Sequence, residues 1–206
     1  MSNVIVWAVD IGSVEKGRFG WCRATSSGNT KHGKSISDLV EGVARDLSDG
    51  LRVALGFECP LFVPIAADPY SLTKARAGEG NRPWSAGAGS GALATGLTEC
   101  VWIFERIRER SNGNTIPVFD WVQFYGGEGT FFVWEAFVSG KAKGATHADD
   151  ATIAAKAFWS CYPDIEGASS IKATNPFSLV GAALLRAGLS SDVKLLSEPC
   201  VVIVAQ

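Results

Sequence analysis

Two short apolar runs, each closing on an acid, constrain this chain more than any other feature. The first is Val4-Ile5-Val6-Trp7-Ala8-Val9, followed by Asp10, Ile11 and Gly12. Such a run is far shorter than the ~20 residues that span a bilayer. It does not alternate with polar residues, so it suits a strand covered on both faces. The second, Val53-Ala54-Leu55-Gly56-Phe57, is of the same kind and closes on Glu58. A carboxylate at the end of a buried strand loses hydration, and a metal ion, a basic side chain or backbone donors must offset that loss. What meets these two acids is the functional question.

Between the two runs the sequence predicts a strand over 17–25, with Phe19 and Trp21 on one face. A turn follows at Ser26-Ser27-Gly28-Asn29, then a more polar edge strand over 30–35. Ser37 or Asp38 is placed to cap a helix carrying Leu39, Val40, Val43, Ala44 and Leu47 at helical spacing, which Asp49-Gly50 ends. Meander, helix and buried strand together make the core of an α/β fold.

From 64 to about 92 prolines and glycines accumulate, among them Lys74, Arg76, Arg82 and Trp84. A long irregular insert in a compact domain that carries basic and aromatic residues reads as a functional loop. Lys74, Arg76 and Arg82 would meet phosphates and Trp84 would stack on bases. A helix over 92–110 follows, with Leu93, Leu97, Val101, Phe104 and Ile107 as its apolar stripe. The span 130–138 is the most hydrophobic strand and holds Glu135, whose facing stays open. After a short loop, 146–158 has a strong helix pattern. The tail from 165 adds an apolar helix over 177–187 and a strand over 200–204 that either extends the sheet or serves an interface.

A chain of 206 residues suits one domain with a full core. Its 47% hydrophobic and 19% charged residues exclude a disordered chain, and its net charge of −2 argues against a module whose sole task is duplex binding. Cys22, Cys59, Cys100, Cys161 and Cys200 form no CxxC pair and are odd in number, so they read as reduced core residues. With no charged leader before the first apolar run and no long apolar stretch, the expectation is a cytoplasmic protein without a membrane segment.

The third acidic element opens the late helix. At 3.6 residues per turn His147 and Asp150 share a face, and Asp150 lines up with Ala154, Ala157 and Cys161, small residues suited to close packing on a sheet. Asp149 points about 100° away, and with Thr146 it forms a capping-box pair. In chain order there is thus an acid after the first strand, an acid after the fourth, and His-x-x-Asp at a late helix start. This set resembles the ribonuclease H-like nuclease superfamily, and within it the RuvC-type resolvases and a branch of predicted, uncharacterised nucleases. The resemblance extends from residue 3 to about 159.

It implies a five-stranded mixed sheet in the order 3-2-1-4-5, with strand 2 antiparallel, helices on both faces, and here a C-terminal helix-strand extension. Asp10, Glu58 and Asp150 would hold Mg²⁺ or Mn²⁺, with His147 completing the catalytic group, and nucleic acid, DNA or RNA, would be the substrate. The donor chemistry agrees, since oxygen-rich sites with few nitrogen ligands suit these hard cations. Two ions about 4 Å apart activate a water and stabilise a leaving 3′ oxygen. Two rivals stay open: an actin-like ATPase or phosphotransferase, which also opens with a strand ending Asp-x-Gly, and a non-catalytic binding member of the same fold. The oligomeric state, a homodimer included, stays open too.

Overall fold

The computed structural model describes residues 3–80, 83–113, 115–138 and 140–205. Strands β1 (Val4–Asp10), β2 (Gly20–Thr25) and β3 (Thr30–Gly33) form a meander, followed by α1 (Ile36–Ser48) and β4 (Arg52–Phe57). Then come β5 (Phe62–Pro64), α2 (Gly87–Arg110), β6 (Pro117–Val118), α3 (Trp121–Gly126) and β7 (Phe131–Phe137). The chain continues with α4 (His147–Cys161), β8 (Pro176–Ser178), α5 (Leu179–Ala187) and β9 (Val202–Val204).

The sheet is mixed and seven-stranded, in the order β3-β2-β1-β4-β7-β6, with β9 also on β7. β4, β6, β7 and β9 all run parallel to β1, and β2 is antiparallel to both of its neighbours. The expected count of five strands is therefore corrected to seven. β6 pairs with β7 at Phe131 and Phe132, and β9 pairs with its other half at Glu135, Ala136 and Phe137. A two-residue strand such as β6 is too short to imprint a period of two on the sequence. β5 and β8 form a separate antiparallel ribbon.

Alternation along the strands divides the core. Ile5, Trp7 and Val9 of β1, Val53, Leu55 and Phe57 of β4, and Phe131 and Val133 of β7 face α1, α2 and α5. Val4, Val6, Ala8, Ala54, Phe132 and Trp134 face α4 and α3. Burying each of the larger side chains contributes about 1.5–3 kcal/mol. Phe104 of α2 stands edge-on to Phe57 and Phe131, with ring centroids 5.7 and 6.0 Å away. This arrangement satisfies the ring quadrupoles as well as filling space.

The helices differ from their sequence readings in three informative ways. Ser35, rather than Ser37 or Asp38, caps α1, its side chain accepting the Asp38 N–H. α2 starts at Gly87, so the glycine-rich end of the insert is helical. Gly89 is needed there, because a Cβ would lie 2.3 Å from the Pro83 carbonyl oxygen. The fully buried stripe of α2 is Gly96, Cys100, Ile103, Phe104 and Ile107, while Leu93, Leu97 and Val101 are only half-buried. α2 packs against both α1 and α5, so its apolar arc is wider than one stripe. No helix among the described residues is long and apolar enough to cross a membrane. The five cysteines are all free, and only Cys161 is less than fully buried.

Candidate functional site

The register of the central strands brings the first two acids together. Val9 stands beside Phe57 in the parallel pair β1–β4, and the Glu58 N–H donates to the Val9 carbonyl at 2.8 Å. Asp10 and Glu58 are the next step along, on strands whose backbones lie ~4.8 Å apart. Both occupy even positions in the alternation, so both point toward the α4 face. They sit at the C-terminal ends of β1 and β4, where the chain switches from building the sheet leftward to building it rightward. Such switch points are where open α/β sheets place their ligands.

The start of α4 closes the site from above. Gly20 pairs with Asp10 across β1–β2, and a Cβ on Gly20 would lie 2.3 Å from the His147 carbonyl carbon. Its missing side chain lets the helix rest on the sheet. His147 Nδ1 then hydrogen-bonds Asp10 Oδ2. Asp150 is buried on the sheet-facing side, whereas Asp149 is exposed and completes a capping box with Thr146. Asp150 Oδ1 accepts the Gly144 N–H at 2.6 Å.

One oxygen from each of Asp10, Glu58 and Asp150 lies within 4.8 Å of the other two. The cluster is buried enough to perturb its acids. Burial, with the Asp10 charge second, pushes Glu58 up to about 8 against the pull of Lys143. Burial also raises Asp10, against the favourable field of His147. Glu58 Oε2 is buried with no hydrogen-bond partner among the described residues. An orphaned buried carboxylate oxygen beside two further acids fits a bound cation, and the all-oxygen donor set fits a hard one.

Two further side chains beside the cluster carried no motif. Lys143, in the loop before α4, places Nζ 3.2 Å from Glu58 Oε1 and 3.1 Å from Asp150 Oδ2. Burial works against its ammonium, yet the two carboxylates outweigh it and raise the lysine pKa. Burial lifts Glu99 of α2 to about 7, with the Gly12 backbone pulling it down and the nearby Asp10 charge adding to the rise. A cleft of 220 Å³ opens beside the cluster, with Asp10, Glu58, Lys143 and His147 on one side and Ala88, Gly89 and Ala92 of α2 on another.

The insert supplies less surface than its composition suggested. Arg76 is corrected from a phosphate contact to a buried brace. Its guanidinium forms a bidentate pair with Glu135, at 2.7 and 2.6 Å, and also bonds Glu79 and the Phe62 carbonyl. Glu135 sits at an odd position in the alternation and so turns away from Asp10 and Glu58, onto the α2 face. There it also accepts the Leu61 N–H at 2.9 Å. Lys74 is exposed, and the half-buried Trp84 donates its indole N–H to the Lys74 carbonyl. Arg82 lies outside the described residues. Compared with protein-family models, curated proteins and solved structures, the chain finds no match.

Proposed function

We propose that this chain is a divalent-cation-dependent nuclease with a ribonuclease H-like domain, hydrolysing phosphodiester bonds of nucleic acid. The observation that carries the reading is the convergence of Asp10, Glu58 and Asp150 at the ends of two adjacent parallel strands and a helix start. In this reading the three carboxylates hold Mg²⁺ or Mn²⁺. When bound, such ions supply an activated water and neutralise charge on the departing oxygen.

The chain's own residues do the rest. His147 holds the Asp10 carboxylate in place through its Nδ1 contact with Oδ2. The Gly144 N–H orients Asp150 in the same way. The Ala88–Gly89–Ala92 wall carries no bulk, which leaves room for a sugar-phosphate backbone to approach the acids. Lys74 and Trp84 lie on the insert, where a cation and an indole suit phosphate contact and base stacking.

Cleavage of a panel of single-stranded, duplex and branched DNA and RNA with Mg²⁺ or Mn²⁺ tests the reading. Asp10→Asn keeps the shape of the site and removes one charge, and it is expected to lower cleavage at least about a hundredfold. Cation-dependent ATP turnover without cleavage of any nucleic acid would overturn the proposal in favour of a phosphotransferase.

A further inference from the structure

Lys143 is the one cation that touches two of the three clustered acids among the described residues. Its Nζ reaches Glu58 Oε1 and Asp150 Oδ2 at 3.2 and 3.1 Å, while its side chain remains 44% exposed. The lysine sits on a short loop between β7 and α4, after a single 3₁₀ turn at Gly140–Ala142. The adjacent Gly144 is held by its N–H bond to Asp150. The backbone next to Lys143 is thus anchored, but the ammonium ends a long stem that opens on solvent. Two positive charges cannot share the same carboxylate oxygens at such distances without strong repulsion.

We propose that Lys143 is a built-in competitor for the cation site. Its ammonium and a divalent ion take the Glu58 and Asp150 oxygens in turn, and loading requires the lysine to swing out toward the cleft. The lysine holds the clustered acids together against their mutual repulsion and sets a threshold of cation concentration for loading. Once displaced, its ammonium lies at the cleft mouth, beside the path of an anionic substrate. This inference rests on the cation-binding half of the nuclease reading and not on cleavage.

The test is Mn²⁺ titration of the full chain by calorimetry, with thermal unfolding followed with and without Mn²⁺. Lys143→Met keeps the stem and removes the charge. It is expected to bind Mn²⁺ roughly tenfold more tightly or better, to melt lower than the parent without Mn²⁺, and to gain more from Mn²⁺. Lys143→Arg restores a cation and should bring the affinity back toward the parent value. Lys141→Met, at an exposed lysine two residues away, controls for the general loss of charge and should leave affinity nearly unchanged. Equal or weaker Mn²⁺ binding by Lys143→Met, with the parent still binding, overturns the competitor role alone. No Mn²⁺ binding by any of the four proteins overturns both this inference and the cation site beneath it.

Discussion

Replacing Arg76 by methionine separates the two roles that basic residues of the insert can play. A surface phosphate contact could be lost with less than about 0.5 kcal/mol of stability. The structure gives a different expectation, because the side chains of Arg76, Glu135 and Glu79 are 0%, 0% and 1% exposed. The guanidinium donates to both Glu135 oxygens, to Glu79 and to the Phe62 carbonyl, and it stacks 4.7 Å from the Phe62 ring centre. Methionine fills much of the volume but leaves two buried carboxylates facing each other. Removing one partner of a buried pair costs ~3–5 kcal/mol, a large share of the ~5–15 kcal/mol that holds a domain. For a chain of this size each kcal/mol corresponds to ~2–4 °C, so the melting temperature should fall by ~6–20 °C. Calorimetry reads this directly. The double variant Arg76→Met/Glu135→Gln removes the orphaned charge and should recover a large part of the loss, a coupling of at least ~1 kcal/mol. A fall of under ~3 °C, or strictly additive losses, would refute the brace.

Gly20→Ala should cost ~1–3 kcal/mol by overpacking and should also weaken Mn²⁺ binding, since the added methyl meets the His147 backbone at 2.3 Å. Unchanged Mn²⁺ affinity would show that α4 can lift without opening the site. In chelator-treated protein, Glu58 has a folded pKa of about 8 against an ordinary 4.5. The folded state therefore keeps a proton that the unfolded chain has released, and stability falls as pH rises from about 4.5 to about 8. The unfolding free energy read from urea titrations should drop over that interval by an amount on the order of a few kcal/mol, and Glu58→Gln should flatten the slope; a parent slope unchanged by that substitution contradicts the assignment. Thr146→Ala removes the hydroxyl that accepts the Asp149 N–H. It should cost about 1 kcal/mol in thermal unfolding, and a neutral result would mean the cap is redundant.

Much of the site was legible in local patterns. The apolar runs ending at Asp10 and Glu58 needed no tertiary information, because a strand buried on both faces excludes polar residues until its end. The helix period likewise separates Asp150 from Asp149, and the two residues do divide into a sheet-facing acid and an exposed cap. Glu135 shows the limit. It lies on a strand as apolar as the others, but which face an odd or even position takes depends on register, and register is decided between strands. Arg76 fails for a related reason: composition marks it as basic in an irregular loop, while the fold turns that loop inward onto β7. Lys143 and Glu99 carry no motif at all, since each matters only through atoms distant in the chain.

The sequence alone determined the kind of element at each position and the acids that had to sit at strand and helix ends, because periodicity and capping are written within a few residues. Only the tertiary structure decided the sixth and seventh strands of the sheet, the burial of the Arg76–Glu135 pair and the lysine set among the acids. Those depend on pairings across tens of residues, where a two-residue edge strand or one long side chain leaves no periodic trace. Packing and charge neutralisation select them once the chain has closed.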